Sequence, residues 1–339
     1  MLHETNNTAI AGASVYFNNT SIGTITNEKG EFSIPNPING EVIISSVGYE
    51  RLVHKVNVVA LTGRSYTFKL AEKEATLRDV MILPDAMRKR YLQLFKENFL
   101  GITEEADLSR ITNLQSIDFA AGQEKNAFIA YSDTPLTIIN RKLGYIIKFD
   151  LVEFSFNQRT GQTSFYGYTR YEDMGDKKSW AKNRKKAYYG STLHFFRSLI
   201  SNNLEKQSFS ILRVREDSLR QTDGLGNQFY KKIDVGITIT ATEIIKKDSA
   251  ERLYTASWKD KLMVQYLKNP ASKTYLSKKT IINGNLPIGA RSYLLLNERM
   301  VSIDDYGILA DPMNLFFTGY WSYEKAANLL PYNYYPDND

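Results

Sequence analysis

The chain has 339 residues, of which 42% are hydrophobic and 24% charged, with a net charge of +6 and no cysteine. This length and balance suit two globular domains with proper cores, while the absence of cysteine excludes disulfides, thiolate nucleophiles and cysteine-based zinc sites. No apolar run of about eighteen residues is present to cross a membrane as a helix, and Met1-Leu2-His3-Glu4-Thr5 lacks the basic-then-apolar profile of a signal peptide.

With 22 Tyr and 17 Phe, aromatics interleaved with β-branched residues favour strands. The expected fold is mainly β with some α. Residues 1–72 read as short strands between turn signals. Strands are expected over Ala13–Phe17, Ile22–Thr26, Glu31–Ile34, Glu41–Ser46, Tyr49–Val59 and Ser65–Leu70, with Val42 and Ile44 on one face and Ile43 on the other. Asn27-Glu28-Lys29-Gly30 is a tight turn in which Gly30 supplies a glycine-only backbone position. Strands at this spacing suggest a β-sandwich.

Three spaced segments carry a resemblance. They are Ile10–Tyr16, Ile22–Ile34 and Ile43–Glu50, the last with the Ser46-Val47-Gly48-Tyr49 corner. Together they resemble the carboxypeptidase-regulatory-like, or transthyretin-like, domain, a non-catalytic sandwich that is also similar to the module ahead of the plug in TonB-dependent receptors of the Bacteroidota. Gly48 would bend the strand and Tyr49 cover the end of the sandwich. Family members begin with a further strand ahead of the segment equivalent to Leu2-His3-Glu4. The chain is therefore expected to have lost that strand together with its export signal, leaving an edge open to a strand donor. The resemblance implies no active site. His3, His54 and His194 lie far apart with no His-x-x-Glu pair, so neither a metal site nor a cofactor is expected.

Residues 73–85 are expected to be a linker, with a short strand at Leu77–Ile82 and Asp85 capping the next helix. Residues 86–339 then read as an α+β domain with a large antiparallel sheet. A helix over 86–100 aligns Tyr91, Leu94, Phe95 and Phe99 on one stripe and stops at Gly101. Thr103 is expected to cap a second helix to Ile111. Strands follow at Phe128–Tyr131, Leu136–Asn140, Tyr145–Phe156 and Thr163–Arg170, with a hairpin turn at Asn157–Gly161. Ser179–Asn203 reads as a helical hairpin broken at Gly190-Ser191, where Ser191 would cap the second helix. Phe209–Val214, Lys232–Thr240, Leu262–Leu267, Ser272–Ile282 and Ala290–Asp304 read as strands, and Ser322–Leu330 as a final helix stopped by Pro331. Segments such as Phe95–Gly101, Asn140–Tyr145, Arg184–Ser191 and Gly319–Ser322 resemble, more loosely, Bacteroidota envelope proteins that pair this sandwich with an uncharacterised region. That second resemblance implies a location in the envelope, exported to the periplasm or the outer membrane, and says nothing of an activity.

Four features compete for function. Lys177–Lys186 holds six basic residues in ten. It is either an anion site, in which Trp180 and Lys182 would meet a ligand, or a solvated helix face. Tyr188, Ser191, His194 and Arg197 form the densest polar-aromatic group, with Ser191, His194 and Ser198 on one helix face. The group is a ligand pocket, a Ser/His pair, or a hydrogen-bonded core histidine. A catalytic pair needs an orienting third group and an oxyanion hole, and neither is legible, so no catalytic residue is assigned. Tyr320 and Trp321, with Tyr323, Tyr332, Tyr334 and Tyr335, form either a contact surface or a clasp closing the domain. Asp173 with Asp176, and Asp304 with Asp305, fit turn chemistry better than calcium or glycosidase sites, and Asp223-Gly224-Leu225-Gly226-Asn227 fits a hairpin turn better than a phosphate cradle. The resulting expectation is a non-enzymatic envelope protein. The sandwich would be a docking or spacer module for a binding or assembly domain, and its partner another envelope protein or a glycan, with no nucleic acid. The rival is an enzyme or accessory subunit of peptide or glycan processing that uses the His194 region.

Overall fold

The computed structural model describes residues 1–58, 65–73, 81–222, 224–248, 253–268, 275 and 290–336. They divide into two units, one of residues 1–184 with 326–339 and one of residues 185–325.

The first unit begins with β1 (Leu2–His3), β2 (Ser14–Phe17), β3 (Gly23–Ile25), β4 (Gly40–Ser45), β5 (Leu52–Val56) and β6 (Lys69–Leu70). An antiparallel sheet runs in the order β3-β2-β4-β5, and β1 pairs in parallel with β6. Alternation sends Val15, Phe17, Val42 and Ile44 into the sandwich core. It turns the registered pair Tyr16 and Ile43 to the opposite face, where both are also buried. Gly30 has φ +72°, and a Cβ there would collide with the Met1 carbonyl oxygen. Tyr49, after Gly48 at φ +85°, packs on the core edge-on to His3 at 5.7 Å. Glu31–Ile34 corrects the expectation of a strand. Phe32 and Ile34 pack on the core, but the segment carries no ladder. It runs into Pro35, which has no N–H to offer one. Ser65–Phe68 is likewise outside any strand.

Helix α1 (Asp85–Phe99) follows. Pro84, not Asp85, occupies its N-cap, and Asp85 is the first helical residue. Pro84 donates nothing, and the acidic Asp85 suits the positive end of the helix. Helix α2 (Glu104–Asp107) is capped by Thr103, whose hydroxyl accepts from Ala106 N–H at 3.3 Å. It stops short of the expected Ile111 because β7 (Ser109–Ile111) is claimed by a sheet. That sheet adds β8 (Ile117–Ala121), β9 (Ala127–Ser132), β10 (Leu136–Asn140), β11 (Tyr145–Asn157) and β12 (Thr163–Asp173). The order is β7-β10-β11-β9-β8, with β12 along the other side of β11. Phe95 of α1 packs on Phe154 at 4.7 Å, and Phe99 packs on Phe149 and Phe165 at 4.9 and 5.3 Å. Each such buried ring stabilises the unit by roughly 1.5–3 kcal/mol.

The sandwich is joined to this sheet at one edge. Asn19 N–H donates to Thr169 O at 2.7 Å, and Tyr171 N–H to Thr20 O at 2.9 Å, so a loop of the sandwich extends the β12 edge in parallel. Beside it, Arg51 Nε donates to Asp150 Oδ2 at 2.7 Å and the guanidinium lies 4.9 Å above the Tyr168 ring. The 326–336 segment returns to the same place. Asn140 Nδ2 donates to Ala327 O at 2.8 Å, Ala327 N–H to Leu100 O at 3.2 Å, and Tyr332 N–H to Asn19 O at 2.7 Å. These bonds replace the helix expected over Ser322–Leu330, of which only a single 3₁₀ turn at Ala326–Asn328 forms. Its backbone groups are spent on tertiary partners.

The second unit takes in the end of α3 (Lys178–Tyr188), then α4 (Thr192–Ile200), β13 (Phe209–Thr222), β14 (Gln228–Thr238), α5 (Ala241–Ile244), β15 (Ile245–Asp248), β16 (Leu253–Ala256), β17 (Lys261–Tyr266), β18 (Ala290–Leu296), β19 (Val301–Asp304) and β20 (Leu315–Gly319). Its sheets run β14-β13-β17-β18-β20 and β15-β16-β19. Phe195, Phe196 and Leu199 of α4 pack with Phe209, Val264 and Leu294 as the core. The single strand expected over Ala290–Asp304 is two, in different sheets, with bends at Asn297–Arg299 between them. The strand expected at Ser272–Ile282 and most of that at Leu77–Ile82 lie outside the described residues.

Replacing Arg51 with Ala strands the Asp150 carboxylate, whose side chain is 12% exposed. Urea unfolding of Arg51→Ala is expected to show a loss of about 3 kcal/mol, the low end for a broken buried pair because Arg51 keeps some solvent. The double variant with Asp150→Ala should recover part of that loss.

Candidate functional site

The sequence-predicted residues in the second unit gather around Gly190. This glycine links α3 to α4 at φ +87°, and a Cβ on it would meet the Tyr266 ring. Its N–H donates to His194 Nδ1 at 3.1 Å, and its carbonyl accepts from Trp321 Nε1 at 2.8 Å. Ser191 caps α4 by accepting from His194 N–H at 3.2 Å. His194 is 3% exposed, and its Nε2–H donates to Gln207 Oε1 at 3.0 Å in the tautomer that leaves Nδ1 as acceptor. Tyr188, Tyr189, Phe209 and Tyr266 surround the ring at 4.9 to 5.7 Å. Ser198 Oγ is spent on His194 O at 2.6 Å. Arg197 Nε donates to Tyr306 O at 3.1 Å, with the guanidinium 5.6 Å from the Tyr188 ring. Burial pushes the His194 pKa down, the Gln207 bond opposes this, and Arg197 and Lys268 add to it. With Nδ1 accepting from Gly190 and Nε2–H donating to Gln207, the imidazole holds the break between two helices. Tyr320 N–H donates to Arg291 O at 2.8 Å, and its ring stands edge-on to Tyr275 at 5.1 Å. Trp321 is buried against Phe195 at 5.3 Å.

In the first unit, Trp180 is buried and its Nε1 donates to Arg141 O at 3.0 Å. Its indole covers Gly144, at φ +71°, so closely that a Cβ there would clash. Lys177 Nζ lies 4.6 Å from the centroid of a Trp180 ring, and Lys182 is exposed. Arg184 leaves the basic run altogether. It donates to Leu143 O and Gly144 O at 2.7 and 2.9 Å, binds both Asp173 oxygens, and stacks 3.9 Å from the Tyr145 centroid. Partial burial raises the Asp173 pKa, but the Arg184 and Gly175 hydrogen bonds outweigh it and hold the carboxyl below its usual range. Asp304 Oδ1 accepts from Tyr306 and Ile308 N–H at 2.8 and 2.9 Å, which is turn chemistry. Among the described residues no cluster of carboxylates and histidines could hold a metal ion.

Sequence reasoning missed the cleft in the large sheet. Phe119, Phe128, Phe154 and Phe165 point to α1, so their neighbours Ala120, Ile129, Ser155 and Ser164 form the opposite face. The register slips between Leu151 and Glu153 of β11. There β11 leaves β9 and turns to β10. The opening is a cleft of about 700 Å³ walled by Tyr131, Val152, Glu153, Ser155 and Ser164, with Glu124 and Asn157 at one end. Asn157 Nδ2 is held by Glu124 Oε2 at 2.7 Å. Its lining carries the carboxylates of Glu124 and Glu153, the amides of Gln123, Asn157 and Gln162, and the hydroxyls of Tyr131, Ser155 and Ser164. The large-small alternation of Phe119-Ala120, Phe154-Ser155 and Phe165-Ser164 was the signal that could have found it. A second, more apolar groove of about 570 Å³ lies in the sandwich between β5 and the Phe32 and Phe68 segments.

Residues 1–82 match the family model described as the CarboxypepD_reg-like domain. A comparison of the chain with curated proteins gives no match.

Because His194 is neutral in the fold and its pKa is lowered, the unfolded chain binds the proton more readily. Its contribution to stability is therefore complete above the unfolded value of about 6.5 and is lost as pH falls through and below it. Thermal denaturation between pH 7.5 and 5 is expected to show this loss in the native chain. His194→Phe should be less stable at pH 7.5, yet flatter across the range.

Proposed function

Starting from a carboxypeptidase-regulatory-like domain at residues 1–82, we propose that this chain is a non-enzymatic binding protein of the cell envelope, exported to the periplasm or the outer membrane. Its sandwich serves as a rigid docking element for a sheet that binds glycan. The observation that carries the proposal is the shared face of that sheet. Asp150 and Tyr168, which take Arg51 of the sandwich, lie opposite one another in register, and Ser155 opposite Ser164 continues the same face into the cleft. The docked sandwich therefore stiffens the strands that wall the cleft. Carboxylates, amides, hydroxyls and one tyrosine are the groups that bind sugar hydroxyls.

Fractionation of native cells should recover the chain with the envelope. The purified chain should bind a subset of a glycan microarray, and Ser155→Trp, which fills the cleft from its wall, should lower that binding at least tenfold with little change in melting temperature. Recovery in the cytoplasmic fraction, or an array signal indifferent to Ser155→Trp, would count against the proposal.

A further inference from the structure

The β13–β14 hairpin outruns its sheet. β17 borders β13 only from Phe209 to Val214, whereas β14 pairs with it from Leu212 to Thr222. Beyond Val214, among the described residues, the hairpin is a two-stranded ribbon. β14 is an edge strand over all 11 of its residues, and no described residue hydrogen-bonds its outer side. Two-stranded ribbons are marginal in water, and a long edge with apolar side chains is a template for another strand. Here Tyr230 is 71% exposed, Phe229 45% and Ile237 36%.

We propose that the outer edge of β14 pairs with β14 of a second copy of this chain, antiparallel and centred on Ile233. The two five-stranded sheets then become one across a twofold axis. The strand is complementary to itself in this register. Ile233 faces Ile233, Phe229 faces Ile237 on the same side, and Tyr230 faces Gly236, where the missing Cβ leaves room for the ring. Charge selects the centre. Moving it one residue toward the N-terminus places Lys232 opposite Lys232, and moving it one residue the other way places Asp234 opposite Asp234. Centred on Ile233, a basic position faces an acidic one twice, as an isologous interface requires. An unrelated donor strand has no reason to satisfy this symmetry.

The chain has no cysteine, so a single introduced thiol reports one position. Directly opposed Cβ atoms lie about 4.5–5.5 Å apart in an antiparallel pair, close to disulfide reach. Mild oxidation of the full-length Ile233→Cys variant is expected to give a covalent dimer, while Leu225→Cys, in the hairpin loop, stays uncrosslinked. The native chain should sediment as a dimer at about 100 µM. Asp234→Lys, which places like charges opposite each other, should shift it to monomer with an unchanged far-UV spectrum. A monomeric native chain at that concentration, an Ile233→Cys variant that fails to crosslink, or a dimer untouched by Asp234→Lys would each overturn the proposal.

Discussion

The ion pair of Arg51 with Asp150 sets how the first unit is built. Two charges withdrawn from water are costly unless each finds its complement in good geometry. Here the guanidinium binds the carboxylate through Nε and a terminal nitrogen at 2.7 and 2.5 Å and rests on Tyr168. Such a pair tolerates little displacement of the two surfaces that contribute it. Main-chain bonds from Asn19 and to Thr20 fix the same two surfaces by a different means. The sandwich is therefore held as a continuation of the β12 edge of the large sheet. A family fold of modest size gains buried area from this arrangement that it lacks alone.

Several of the polar residues singled out in the sequence bond backbone groups. Arg184 closes the carbonyls of Leu143 and Gly144, and His194 closes the N–H of Gly190. In the sequence Arg184 stood as part of the 177–186 basic run and His194 as part of the densest polar-aromatic group. Their burial has a simpler origin. Left-handed glycines turn the chain sharply at 144 and 190, and sharp turns leave backbone groups that ladders and helices do not reach. A side chain that reaches them is retained. The cleft between β9 and β11 is a different case, since its carboxylate, amide and hydroxyl groups gather where a sheet forks.

Much of the fold was legible where packing follows a simple period. The stripe of Phe95 and Phe99 marked a helix, and the run Tyr145–Phe156 marked the central strand of the first unit, which extends to Asn157. The three motifs at the N-terminus marked the sandwich. Legibility failed where partners distant in sequence decide the backbone. The Ser322–Leu330 segment has helical composition, yet Leu100 and Asn140 take its hydrogen bonds. Arg215–Thr222 has no apolar alternation, so β13 read as ending at Val214, although β14 carries it eight residues further. The cleft was hidden for the same reason: the large-small alternation marks two-faced strands, but no local pattern encodes the register that brings four of them together.

The return of residues 326–336 to the first unit makes that unit discontinuous along the chain. In order of synthesis, the sandwich and the large sheet emerge first but wait for Asn328, Tyr332 and Asn333, which bond Thr103, Asn19 and Ser21. The 185–325 unit is contiguous and needs no such late arrival. On the ribosome the inserted unit is able to complete its fold before the host that surrounds it in sequence. Closing the host then means closing a loop that already contains a folded body, which leaves the final strap a shorter effective loop to order.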